Sequence, residues 1–367
     1  METSRERVLK AINHIQPEVT PVHIMGFEGV ERWLEYFQAK DTFELRGILG
    51  LDIRMAPPIY KGANASLGLS IWGTKKNVAG YQGVGYSREK GDHPLIKAES
   101  VKDVECFHWP RADEFEFDAM IELLGTVPDK ACWVGPRAGV VEAGLNRKDA
   151  VGLPGAWIPF VCTLFELFGF EETLIKFHYR PRLIEAAIYN LETFILDLSR
   201  RVLEASGGLA DIFWFGDDFA TARGMMMSPE HWRRFLKPTY KKIFDLAKSY
   251  KRKVWFHCCG TFREVMPDLI DIGMDVWETT QVHLLGNEPG LLKREYGKDI
   301  CFYGAINTQQ TLPFGTPEDV RAEVRERIKV LGKGGGYIVG GDHTILPDVP
   351  IENVLAMIDE TKKVLLE

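Results

Sequence analysis

The chain has 367 residues, 45% of them hydrophobic, a net charge of -7 and a pI near 5.8. That length suits one α/β barrel with insertions or two smaller domains, and the acidic balance gives no electrostatic reason to bind nucleic acid or an anionic membrane. No apolar stretch approaches the length of a membrane span, and Thr3-Ser4-Arg5-Glu6-Arg7 reads as a capped, charged helix start rather than a signal peptide. Six scattered cysteines lack the spacing of a disulfide scaffold, so a cytoplasmic protein with reduced thiols is expected.

Along the chain, short apolar runs recur, each followed by a helix-like stretch: Thr20 to Met25, Leu51 to Met55, Cys132 to Val134, Ala210 to Phe215, Val254 to Phe256, Asp275 to Trp277, Cys301 to Tyr303 and Tyr337 to Val339. Such alternation predicts parallel strands joined by crossover helices. Residues 56 to 130 are rich in Gly, Lys, Tyr and Pro, with turn chemistry at Gly83-Val84-Gly85-Tyr86 and no long helical period. They read as an insertion of short strands and loops near the mouth of a single barrel spanning residues 1–367, not as a separate domain. Ser228-Pro229-Glu230 opens a helix that sets Trp232, Phe235, Leu236, Ile243, Phe244 and Ala247 largely on one face, which core packing explains. Gly334-Gly335-Gly336 lacks the Lys-Ser or Lys-Thr of a phosphate loop and reads as a turn into the last strand.

Carboxyl ends of parallel barrel strands share one face, where barrel enzymes hold their active sites. That face would carry Asp217 and Asp218, His257 and Cys259, Glu278, and Asp342 and His343. His257 and Cys259 lie two apart on an extended segment and point to one side, while Cys258 points away. With His343 they form a three-ligand set suited to zinc, leaving the fourth position for a substrate. Glu278 is an alternative or additional ligand, and Asp217 or Asp218 a ligand orienter or general acid/base. The competing reading is a metal-free pocket in which these residues hydrogen-bond to a polar substrate. Cys301, at the start of its strand, belongs to the opposite, stabilising end.

Several motifs together resemble the uroporphyrinogen decarboxylase superfamily, a (β/α)8 TIM-barrel family. They run from Ser4-Arg5-Glu6-Arg7-Val8-Leu9 and Thr20-Pro21-Val22 through His93-Pro94-Leu95, Gly216-Asp217-Asp218 and Ser228-Pro229-Glu230. His257-Cys258-Cys259-Gly260, Gly304-Ala305-Ile306-Asn307-Thr308, Leu312-Pro313-Phe314-Gly315-Thr316-Pro317 and Asp342-His343-Thr344-Ile345-Leu346-Pro347 complete the series. Two features depart from the decarboxylase itself. The first strand runs Val22-His23-Ile24-Met25-Gly26-Phe27-Glu28 with no arginine until Arg32, where the arginine-rich grip on substrate carboxylates should follow. The second closes on Met55-Ala56-Pro57-Pro58, where the catalytic aspartate should stand.

The His-x-Cys-Gly motif is similar instead to the zinc-dependent methyltransferase branch, which moves methyl groups between a corrinoid and a thiol or from methylated donors such as aryl methyl ethers. In its thiol-specific members the third metal ligand is a late cysteine, at the position held here by His343. The resemblance implies a zinc enzyme of O-demethylase type that works on a small methyl donor, with cobalamin carried on a separate corrinoid protein. Two competing expectations are a metal-free decarboxylase-like lyase and a non-catalytic barrel that binds a corrinoid or small molecule. Trp214, Phe215, Trp255 and Trp277 near the strand ends are candidates to flank a flat substrate.

Overall fold

A computed structural model describes residues 2–67, 69–74, 93–138 and 156–365. Seven parallel strands form one curled sheet in chain order: β1 (Ile53–Met55), β2 (Ala131–Val134), β3 (Ile212–Gly216), β4 (Lys253–His257), β5 (Val276–Thr280), β6 (Cys301–Ile306) and β7 (Tyr337–Gly341). Each neighbouring pair is parallel, so all carboxyl ends lie on one rim. The strands read as continuous apolar runs because both faces are covered.

Period two assigns each strand residue to one of two cores. The inner cluster takes Ile53, Met55, Ala131, Trp133, Ile212, Trp214, Trp255, Val276, Cys301, Tyr303 and Ile338. The outer cluster takes the residues between them, including Val134, Phe213, Phe215, Phe256, Trp277 and Phe302, beneath the helices. The first helix, α1 (Ser4–Ile12), starts on a capping box between Thr3 and Glu6 and adds Val8, Ala11 and Ile12 to the inner cluster. Its Arg5 and Arg7 reach Asp211, just ahead of β3, at 2.8 Å and Asp52, just ahead of β1, at 3.1 Å.

The apolar run at Thr20 to Met25 forms no extended strand, only an isolated bridge from Val22 to Val339. Its backbone nevertheless bonds on both sides: His23 N–H donates to Val339 O at 2.9 Å, and Asp52 N–H donates to Val22 O at 3.0 Å. The Asp52 carboxylate also accepts from Val22 N–H at 2.8 Å. One buried side chain thus ties the amino-terminal segment, α1 and β1 together.

Residues 56 to 130 depart from the expected mixture of short strands and loops. They contain one two-stranded pair, Ile59–Tyr60 with Phe115–Glu116, but also helices at Val101–Glu105 and Asp118–Gly125. Helices this short offer too few turns to show a period. The Tyr60 and Phe115 rings meet tilted with centroids 5.2 Å apart, and Phe115 meets Phe194 of the long helix Pro181–Ser206 at 6.1 Å. The expected turn at Gly83 to Tyr86 lies outside the described residues. The helix opened by Ser228 is two helices, Pro229–Phe235 and Lys237–Ser249, because Pro238 has no N–H to donate and its ring clashes with a continuing turn. Among the described residues no helix is long and apolar enough to cross a membrane.

Asp52→Ala should destabilise the protein by about 3 kcal/mol, since it strands the Val22 N–H and the Arg7 guanidinium together. The expected result is a lower urea midpoint with unchanged metal content, because Asp52 sits at the opposite rim from the strand ends.

Candidate metal centre

β3, β4, β5 and β7 deliver the site. In register, Gly216 lies beside His257 and His257 beside Glu278, so three neighbouring strands place these residues in one row near the carboxyl rim. Gly216 is small for a reason: a Cβ there would stand 2.8 Å from the His257 Cβ and 3.0 Å from the Trp214 ring. After His257 the chain turns sharply at Gly260, whose φ of +91° and 2.5 Å approach to Thr221 O exclude a side chain. That turn leaves Cys258 buried in the outer cluster and swings Cys259 back over the row.

Asp218, His257 and Cys259 offer ligand atoms that all lie within 4.8 Å of one another. His257 Nε2 is 3.6 Å from Cys259 Sγ and 3.7 Å from Asp218 Oδ1. The same Asp218 oxygen accepts the Cys259 N–H at 2.9 Å, which fixes the backbone of the cysteine. His343, beyond β7, stands with its ring 6.3 Å from that of His257, close enough for its charge to act on Cys259. Among the described residues the compact group that could hold a metal ion is therefore Asp218, His257 and Cys259, with His343 on its flank. The expected trio had His343 in the place of Asp218.

The electrostatics of the cluster are those of opposed charges packed together. Burial and Asp218 push the Cys259 thiol up, but the His257 and His343 imidazoles outweigh them and hold it below its ordinary value. Burial pulls His257 down, yet Cys259, Glu278 and Asp218 together raise it well above the usual imidazole range. His343 is raised in the same way, chiefly by Cys259. A thiolate, a carboxylate and imidazole nitrogens at this separation are the donor types that zinc takes. The residues present fit such an ion.

The remaining candidates separate. Asp217 turns away from the cluster: its carboxylate accepts Phe160 N–H at 3.1 Å, Val161 N–H at 2.9 Å and the Tyr240 hydroxyl at 2.6 Å, at the start of the helix Val161–Phe168. Burial pushes it up to about 7 against the pull of Tyr240 and Val161. Its contacts are those of a buried tie between helices and β3. Glu278 is buried behind His257, with one oxygen accepting two indole N–H groups and the other 3.2 Å from His257 Nδ1. Asp342 is buried too, accepting Thr308 N–H at 3.1 Å and standing 3.0 Å from His283 Nδ1.

Of the four aromatics near the strand ends, Trp214 and Trp255 belong to the inner cluster and Phe215 and Trp277 to the outer one. Only the first pair lies on the site's side of the sheet. Sequence reasoning missed Trp157, whose ring is 5.1 Å from His257 and 6.2 Å from Trp214. It pairs with Arg137 across a two-stranded ribbon, and the Arg137 guanidinium lies 4.3 Å over the Trp214 ring. Arg46 was missed as well; from the helix Thr42–Ile48 it donates to Met25 O at 3.0 Å, at the end of the first segment. Nothing in the local pattern marks either arginine, since the partners of each lie on segments distant in sequence.

Seven parallel strands with donors gathered at their carboxyl rim define an α/β enzyme scaffold of TIM-like form. The chain belongs to the uroporphyrinogen decarboxylase (URO-D) family, whose pattern its residues 160–364 match. It is 27% identical over 279 residues to a methylated-thiol–coenzyme M methyltransferase of Methanosarcina mazei, covering 75% of this chain and 66% of that protein. It is 24% identical over 233 residues to a uroporphyrinogen decarboxylase of Chlorobium phaeobacteroides, covering 59% and 60% of the two chains. The chain thus spans less than two thirds of the length of these relatives. A solved methyltransferase from Methanosarcina mazei shares the fold, with a TM-score of 0.68, 99% coverage of both chains and 18% identity.

Gly216→Ala should push His257 off its position and weaken metal binding by about tenfold or more, with little loss of fold. Competition against a chromophoric chelator measures the first effect and thermal unfolding the second.

Proposed function

We propose that this protein is a zinc-dependent methyltransferase built on a closed (β/α)8 barrel. In this reading it moves a methyl group from a small oxygen-linked donor to a corrinoid carried on a separate protein. The observation that carries the proposal is the convergence of His257 Nε2, Cys259 Sγ and Asp218 Oδ1 on one point at the strand ends. The similarity to a methylated-thiol methyltransferase supports the class of reaction. The bonds from the Pro21–His23 segment to both Val339 and Asp52 support closure of the sheet into a barrel.

His257 and Cys259 would hold the ion, with Asp218 the nearer and His343 the second candidate for a third ligand. Zinc bound there supplies a Lewis acid that stabilises negative charge on the oxygen a methyl group leaves. The residues of the chain do the rest. Asp218 fixes the Cys259 backbone, and the Trp157 and Trp214 rings wall the His257 side of the site, where a flat donor could lie. The donor's C–O bond breaks with its electron pair on oxygen, and the methyl carbon passes to the partner's cobalt(I), which brings its own electron pair. Aromatic walls exclude water from the transfer.

Two experiments test the proposal. Purified protein from zinc-supplemented medium should hold about one zinc per chain, lost in His257→Ala and Cys259→Ala and kept in Cys258→Ser. Metal-free wild-type protein would end this reading. With a reduced corrinoid protein and a panel of methoxylated aromatics and simple methyl donors, the corrinoid spectrum should change to that of the methylated form. Decarboxylation of uroporphyrinogen at an enzymatic rate, with no methyl transfer from any donor, would move the assignment to the lyase.

A further inference from the structure

Glu278 is 2% exposed, accepts the N–H groups of two indoles and faces one ring nitrogen of His257. Its Oε2 accepts the indole N–H of Trp214 at 3.1 Å and that of Trp255, and its Oε1 lies 3.2 Å from His257 Nδ1. The arrangement follows from the sheet. Trp214 and Trp255 are register partners, His257 and Glu278 are register partners, and Trp255 and His257 lie two apart on one strand, so all four side chains project inward together. Two indoles have no other role to play with their single donor, and an indole N–H cannot accept. Oε2 is therefore committed, and Oε1 is left facing the imidazole.

We propose that Glu278 is a positioning residue that holds the proton of His257 on Nδ1 and so presents Nε2, bare, to the metal point beside Cys259 and Asp218. The inference rests on the metal-centre reading above, but its first readout does not need the metal. A buried carboxylate accepting from the far nitrogen of a histidine selects the tautomer and the ring orientation. Free imidazole in water favours the proton on Nε2, the wrong nitrogen for this site. Glu278 would thus convert a disfavoured tautomer into the resident one, with the two tryptophans keeping the carboxylate from rotating away.

Glu278→Gln separates this role from simple packing. The two indole donors compete for the one amide oxygen, so the amide NH2 falls opposite His257 Nδ1 and donates to it. The proton must then sit on Nε2, where it blocks the metal. In metal-free protein labelled with nitrogen-15 histidine and kept alkaline enough for a neutral ring, the wild type should show His257 protonated on Nδ1 and Glu278→Gln should show it on Nε2. In metal titrations the variant should bind zinc or cobalt(II) about 10- to 100-fold more weakly, while the melting temperature of the metal-free form stays near that of wild type. Trp255→Phe, which frees one carboxylate lone pair but leaves the charge, should show a smaller loss of affinity and retain the Nδ1 tautomer; it serves if the glutamine variant fails to fold. An Nε2 proton in metal-free wild type overturns the proposal, as does wild-type metal affinity in Glu278→Gln. Absence of metal from wild type would defeat the methyltransferase reading and leave the tautomer measurement to decide this one.

Discussion

The row formed by Gly216, His257 and Glu278 is the constraint on which the rest of the site depends. Parallel register fixes these three side by side on adjacent strands near their carboxyl rim, and period two turns them all inward. Only glycine leaves room for the imidazole on one side, and a carboxylate braces it on the other. Once that ring is set, the turn at Gly260 decides the position of Cys259, and Asp218 pins the cysteine's own backbone. A one-residue slip of β4 would bury His257 among the outer aromatics and send Phe256 inward. The chemistry therefore rests on sheet register, which the large apolar side chains of both cores enforce.

Asp217 and Asp218 show how steeply this geometry acts. They are consecutive carboxylates at the end of one strand, and extended backbone sends their side chains to opposite faces. Asp217 meets the first turn of the helix at Val161 and the Tyr240 hydroxyl, where two peptide N–H groups and one O–H fill its lone pairs. Asp218 meets His257 and the Cys259 N–H. The contacts of Asp217 make it a buried tie between the helix at Val161 and β3. The division places stability on the outer face and chemistry on the inner one.

Much of this was legible in the sequence. Seven of the eight apolar runs are strands of the sheet, and the two-residue spacing of His257 and Cys259 suggested the convergence that the turn at Gly260 completes. Cys258, the residue between, faces the outer core as period two requires. What stayed hidden depended on contacts between distant segments. The preference for Asp218 over Asp217 needs the true end of β3, and the place of Glu278 behind the histidine needs the register of β4 against β5. Trp157 and Arg137 come to the site on a short ribbon whose sequence carries no strand signal, two residues on each side. The aromatics were read as one group, although alternate residues of a strand buried on both faces face opposite cores.

The charge of the cluster carries the argument one step further. A thiolate and a carboxylate packed within hydrogen-bonding reach of two imidazoles, in a site largely removed from water, cannot remain anionic without a cation among them. Burial lowers the His257 and His343 imidazoles, but the Cys259 sulfur and the Asp218 carboxylate raise both above their ordinary value. A divalent ion at the same point would satisfy the same donors through directed bonds. The fold has thus already met the cost of bringing like-charged donors together, through the Asp218 hydrogen bond to Cys259 and the bracing of His257 from behind. An ion bound at such a preorganised point would spend little of its binding energy on gathering ligands.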